Sequence, residues 1–291
     1  MSLSVQIGLL LALGTAFASI VGFLYKHRGA VESPEVDWRR PVWSSLVLFR
    51  SRWYTLGIVI ATGSWGLHVG ALALAPISLV QSVIAGGLVF LTVIADRLFA
   101  HSVTRREWIG VGLAAIGLAF LAATLDGAGS EAHADYFAAE LGIYLATGAA
   151  LGIAVALAAN RAAHHGGVLF GTSAGLLWGA SDVSIKALSG NLGDGVASVL
   201  VHPLAVLIAT LSLAGLLVSA RSLQLGKAVP VIAVTSVAAN AFTIAAGPIV
   251  FGEPMPDDML GVIVRVTAFV LVVGAAALTP APVRAAEAET A

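Results

Sequence analysis

The chain contains no cysteine in its 291 residues. That excludes disulfides, thiol catalysis and cysteine-bound metal, and leaves the compartment open. Charge is scarce as well: Asp, Glu, Lys and Arg make up 11% of the residues, where a soluble domain carries about 25%. The basic residues are too few and too scattered for a nucleic-acid surface. Enzyme signatures are missing too, with no His-Glu-x-x-His, no P-loop and no nucleophile elbow. GVGLAAIG (110–117) has the glycines of a nucleotide loop but lies inside an uncharged run, where close helix packing explains it better. No enzyme activity, cofactor or metal site is expected. Without an ATP site, uphill transport would need an ion gradient, exchange or a partner.

What fills the chain instead is apolar sequence, 58% of all residues, in repeated uncharged runs long enough to cross a bilayer. These runs describe an all-α integral membrane protein. The N-terminal MSLSVQIGLLLALGTAFAS looks like a signal peptide, with Ala16-Phe17-Ala18 as a mock cleavage site. Its basic residues, Lys26 and Arg28, follow the apolar core instead of preceding it, so it reads as a retained first span. Turn residues then divide the chain into nine spans: 5–25, 53–75, 77–98, 107–125, 137–160, 166–189, 196–220, 228–250 and 259–279. Pro76 splits the uncharged stretch 53–95, too long for one helix, into two.

The loops alternate in charge. Lys26, Arg28, Arg39, Arg40, Arg50 and Arg52 cluster after the first span, Arg97, Arg105 and Arg106 after the third, Arg161 after the fifth, and Arg221 and Lys227 after the seventh. The loops between, DGAGSEAHAD and GEPMPDD, are acidic, and Arg284 lies in the tail. The positive-inside rule then predicts a multi-pass protein of the cell (inner or plasma) membrane, N-terminus outside and C-terminus cytoplasmic. PVWSSLVLFRSRW reads either as a short interfacial helix or as an extension of the second span.

Sliding the chain by 151 residues aligns LALAPISLVQSV (72–83) with LQLGKAVPVIAV (223–234). Spans one to four and six to nine share one layout, and a shift of five spans inverts orientation. Two inverted four-helix repeats are therefore expected, 1–125 and 166–280. The segment 126–165 carries the linking helix, and 281–291 is a cytoplasmic tail.

Several segments resemble the drug/metabolite transporter (DMT) superfamily, in particular its EamA-like and NIPA-like members. IGLLLALGTAFASIVGFLYKHRGA (7–30) is similar to their first helix, and ALALAPISLVQSVIAGGLVF (71–90) to their Ala-Pro-x-x-Leu-Val segment. GLLWGASDVSIK (175–186) resembles the Trp-Gly…Lys motif opening the second half, and FGEPM (251–255) the Gly-Glu loop after the eighth helix. The resemblance implies transport by alternating access. Nine spans suit the magnesium-transporting NIPA type. Where that type carries Gly-Glu-x-x-Asn in the second helix, however, this chain has Ser64, Trp65 and His68, with no carboxylate to hold magnesium.

Polar residues inside the spans are the site candidates. Gly167, Gly171, Gly175 and Gly179 form a ridge that admits a close neighbour and aims Asp182 at the bundle interior. Asp182 is expected to pair with Lys186, at i,i+4, or with Arg265 on the ninth span, or to take part in substrate binding or proton coupling. Arg265 and Asp182 lie about 9 and 10 Å deep by helical rise. Lys186 is expected to snorkel to the outer surface. Gln81, His68, Asn240 and Trp178 complete the set, each with a plain alternative as an interhelical hydrogen-bonder or packing residue. His202 is read as a bundle histidine, Asp96-Arg97 as a solvated helix end, and His164-His165 receives no role.

The leading function is a secondary transporter or exporter of a small metabolite, cationic or amphipathic, with proton or cation coupling. Alternatives are a divalent-cation transporter and a non-transporting scaffold or accessory subunit. Expected partners are the bilayer, the substrate and, as an open option, a second copy in a homodimer.

Overall fold

The structure, a computed structural model, describes residues 2–35, 39–86, 105–123, 135–161, 166–191, 196–226 and 228–278. Among these, helix dominates and no strand occurs. The helices are α1 (Leu3–Val31), α2 (Pro41–Leu48), α3 (Arg52–Leu74), α4 (Ile77–Gly86), α5 (Arg105–Ala123), α6 (Ala138–Ala159), α7 (Gly166–Ser189), α8 (Val196–Val201), α9 (Pro203–Leu225), α10 (Ala228–Val250) and α11 (Met259–Leu278). Five of them, α1, α3, α6, α7 and α9, are long and apolar enough to cross a membrane. Asp96-Arg97, most of the acidic loop after the fourth span, His164-His165, Lys227 and the 281–291 tail lie outside the described residues.

Where the described residues reach, the helix ends lie close to the expected boundaries with two corrections; the far end of the third span, 77–98, lies outside them. The first helix does not stop at residue 25 but runs to Val31, so Lys26 is a buried helical residue and not a loop charge. The seventh span does not begin at 196. The short α8 ends at Val201, and α9 starts at Pro203, whose ring disfavours helical backbone in the residue before it. His202 is that residue; it is extended (φ −68°, ψ 138°) and its Nδ1 accepts from Leu204 N–H at 3.2 Å. It is a helix cap. The segment before α3 resolves into a separate helix, α2, with Ser44 and Leu48 buried and Trp43 and Leu46 outward.

The bundle is assembled around α7, which packs on α6, α9 and α10, while α1 packs on α3 and α5 on α11. Small residues allow these approaches. A Cβ on Gly175 would lie 2.4 Å from Thr235 O, and one on Gly167 2.6 Å from Gly226 Cα. The glycine ridge therefore faces α10 and the turn before it. Hydroxyls tie the same contacts to backbone: Thr235 donates to Gly171 O (3.0 Å), Ser222 to Gly167 O (2.6 Å) and Ser173 to Gly152 O (2.7 Å). Between α1 and α3, Ser64 donates to Thr15 O at 3.0 Å. In lipid, where burying apolar surface gives little drive, such packing and hydrogen bonds hold helices together.

At one end of the bundle, Arg221 on α9 pairs with Glu35 at 3.0 Å and Gln224 donates to Pro34 O at 3.0 Å. Tyr25 stacks on Trp53 there, with ring centroids 5.6 Å apart. This is the mix of aromatic and basic side chains expected at a bilayer interface.

A Gly175→Val substitution should lower the melting temperature of the purified protein, because overpacking costs about 1–3 kcal/mol. Gly63→Ala, where a Cβ meets nothing within 4 Å, should leave it unchanged or raise it slightly.

Candidate functional site

The site grows from a helix break. Pro76 lacks an N–H, so α3 ends at Leu74, with Ala75 extended (φ −143°, ψ 158°), and α4 begins at Ile77. The break leaves free carbonyls at the end of α3 and free N–H groups at the start of α4. It lies in the interior: Leu72, Ala75 and Ile77 are all fully buried. Unsatisfied backbone groups in so apolar a setting cost several kcal/mol each.

Two charged side chains from the other half of the chain meet this demand. Lys186, on α7, donates to Leu72 O (2.8 Å) and Ala75 O (2.9 Å). Glu253, in the loop between α10 and α11, accepts from Ser78 N–H at 3.3 Å. Each charge matches the partial charge of the helix end it caps, positive at α3's carbonyls and negative at α4's amides. Glu253 is brought there by a tight turn. Gly252 has φ +58°, the left-handed region that favours glycine, and Glu253 N–H donates back to Gly247 O at 3.1 Å. A Cβ on Gly247 would overlap the Glu253 carboxylate. Burial pushes the Glu253 carboxyl above its ordinary range, against the opposing pull of Ser78 and Lys186.

One turn before Lys186 on α7 lies Asp182. Its Oδ1 is 3.2 Å from His68 Nε2, and its Oδ2 accepts from Gln81 Nε2 at 3.4 Å. His68 and Gln81 also approach one another, at 3.5 Å. His68 is on α3 and Gln81 on α4, so the carboxylate grips the two helices on either side of the break. The cluster is only partly closed: the His68 side chain is 8% exposed and that of Asp182 21%. His68 Nδ1 is buried and has no hydrogen-bond partner among the described residues. With Nε2 turned to the carboxylate, Nδ1 is the ring nitrogen left without a protein partner.

Two expected pairings are corrected. Among the described residues Asp182 pairs with neither Lys186 nor Arg265. Lys186 does not snorkel; it is fully buried and turned to the α3 carbonyls, because these offer an ammonium in the bundle its best acceptors. Arg265 sits on α11, which packs on α5 and α10, and it donates to Pro254 O in the Glu253 loop. Equal depth along two helices did not place the two charges face to face.

The other candidates lie apart from the cluster. Asn240 is buried on α10, and its side chain makes no hydrogen bond to Asp182, His68 or Gln81 among the described residues. Trp178 packs between helices: Nε1 donates to Ser212 O at 3.4 Å, and its ring meets Phe23 edge-on at 5.7 Å. Sequence reasoning missed the role of Glu253. The FGEPM stretch had signalled a turn, but a carboxylate in a loop predicted to be acidic gave no sign of reaching a helix break 175 residues away. Two apolar grooves of about 450 and 410 Å³ run between α6 and α9, the second also lined by α7 residues. No protein family, curated protein or solved structure matches the chain.

Lys186→Met should strand the α3 carbonyls of Leu72 and Ala75 and remove one of the two cations, with Arg265, that act on Glu253. Each buried acceptor left unsatisfied costs about 1–3 kcal/mol, read as a fall in melting temperature larger than that of any variant in the 281–291 tail.

Proposed function

We propose that this chain is a secondary-type transporter of a small metabolite that works by alternating access, built as a DMT-type fold. In this reading nine spans form two inverted four-helix repeats, 1–125 and 166–280, joined by the helix in 126–165. The observation that carries the reading is the Asp182–His68–Gln81 cluster. It places an acid of the second repeat against a histidine and an amide of the first, in the interior and partly open. Inverted-repeat transporters hold substrate and coupling ion at such a junction, beside interrupted helices.

The packing supports the repeats. The first helix of each packs on the next long one, α1 on α3 and α7 on α9, and the cross-contacts α3–α7 and α1–α9 form a matching pair. The loops support the topology. Those expected outside, at Pro76 and FGEPM, meet through Glu253 and Ser78, and those expected inside meet through Glu35 and Arg221.

Asp182 and His68 are the coupling pair in this proposal. A proton exchanged at the pair changes the charge on the link between repeats, and so ties proton movement to their relative motion. Gln81 orients the carboxylate. Trp178 shapes the wall, and Arg265 holds the Glu253 loop through Pro254. Asn240 would meet substrate from α10.

A non-transporting scaffold or accessory subunit is the second reading, and the apolar character of the two flanking grooves favours it. Divalent-cation transport gains no such support, since no group of three His, Asp or Glu side chains converges among the described residues.

Reconstitution into proteoliposomes with an entrapped pH dye separates these readings. Metabolites that stabilise the purified protein are added outside, and substrate-driven proton flux is recorded. Asp182→Asn should fold and express normally yet lose at least about 90% of the flux, a barrier change of about 1.4 kcal/mol or more. Wild-type flux in this variant would remove Asp182 from the mechanism. Absence of flux in the wild type with every stabilising metabolite would leave the scaffold reading.

A further inference from the structure

The bundle holds a second buried lysine whose situation contrasts with that of Lys186. Lys26 on α1 is 5% exposed. Its stem is pinned against α3: a Cβ on Gly57 would lie 2.8 Å from Lys26 Cγ. Its Nζ sits 3.9 Å from the centre of the Phe23 ring and 5.2 Å from that of Trp178. The two rings meet edge-on and wall the ammonium on that side. Lys186 spends its donors on two carbonyls, whereas Lys26 has no hydrogen bond or ion pair with any described residue. Ring faces attract a cation but accept none of its three N–H bonds in the manner of an oxygen. An ammonium set mostly among rings, with only a residual opening to solvent, is poorly solvated, and an oxyanion would relieve that deficit.

We propose that Lys26 is the anion-recognising residue of the transport site and that the substrate is a small organic monocarboxylate with an apolar or aromatic body. The proposal rests on the transporter reading and supplies its substrate class. Trp178 and Asp182 are four residues apart on one face of α7, a rise of about 6 Å. Trp178, against which the Lys26 ammonium lies, is therefore one helical turn from Asp182 of the Asp182–His68–Gln81 cluster. The carboxylate docks on the Lys26 ammonium and the body lies along Phe23 and Trp178. The far end approaches Asp182, which repels a second carboxylate and tolerates a donor. One ammonium with aromatic neighbours suits a monoanion. A phosphate dianion would call for the several donors that charged clusters provide.

The full chain, purified in detergent, is titrated with sodium benzoate, sodium acetate and sodium indole-3-acetate, with benzylamine hydrochloride as the charge-inverted control at equal ionic strength. Binding is read by melting temperature and by tryptophan fluorescence. Benzoate or indole-3-acetate should stabilise the wild type and benzylamine should not. Lys26→Met, which keeps the stem and removes the charge, should weaken carboxylate binding about tenfold or more. Lys26→Gln should behave alike, and Lys26→Arg should retain binding. The proposal is overturned if none of the three carboxylates stabilises the wild type, or if Lys26→Met or Lys26→Gln binds them as the wild type does. Asp182→Asn keeps the two readings apart. Lys26-dependent binding in a variant with normal coupled transport would sink the coupling role and leave Lys26 standing. Lost flux with Lys26-independent binding would do the reverse.

Discussion

The structure depends on how one break in a helix is capped inside an apolar bundle. Pro76 interrupts the chain between α3 and α4 and leaves unpaired backbone groups among fully buried residues, shielded from solvent. Lys186 supplies donors to the carbonyls of Leu72 and Ala75, and Glu253 supplies an acceptor to Ser78 N–H. Both caps come from the other half of the chain, so a local defect in the first half becomes a bond between halves. The charges suit the helix ends they meet, and they attract one another across the break.

The candidate site follows from that arrangement. Lys186 and Asp182 lie four residues apart on one face of α7. With Lys186 held on the end of α3, Asp182 is carried to the side chains flanking the break. His68 stands four residues before Leu72, and Gln81 three after Ser78. The acid therefore meets one group from each helix end. Motion of α7 against α3 and α4 would disturb the caps and the cluster together. Trp178, a further turn along the same face, links this region to Lys26 on α1. A single face of α7 thus carries Trp178, Asp182 and Lys186 past three different environments, and the glycines interleaved on the same side let α10 approach closely.

Much of the framework was legible in the sequence. Apolar runs and turn residues placed most helix boundaries, and the four-residue glycine spacing on α7 announced a close neighbour. The misplacements have physical causes. His202-Pro203 divides the expected seventh span, because the residue before a proline avoids helical backbone even in apolar sequence. By sequence Lys26 reads as a loop charge, because in lipid a lysine usually marks a helix end; Gly57 opens the space that lets it stay inside. The polar candidates were chosen one span at a time, by depth and face. That method found Asp182, His68 and Gln81 as separate residues but could not pair them, and it set Arg265 opposite Asp182 because a depth contains no azimuth.

Sequence by itself determined the helical, membrane-like class of the protein and the location of most described helices, since bilayer length, hydropathy and proline chemistry act locally along the chain. It also determined that α3 and α4 must be separate and that their broken ends must find partners. Which side chains became those partners was decided only by the tertiary structure. Lys186 has Asp182 one turn away on its own helix, yet it is turned to carbonyls more than a hundred residues distant in sequence. The reason is geometric: the rotation of α7 about its axis is set by the fit of its glycines against α10, and that rotation aims Lys186 at the break and Asp182 at His68 and Gln81.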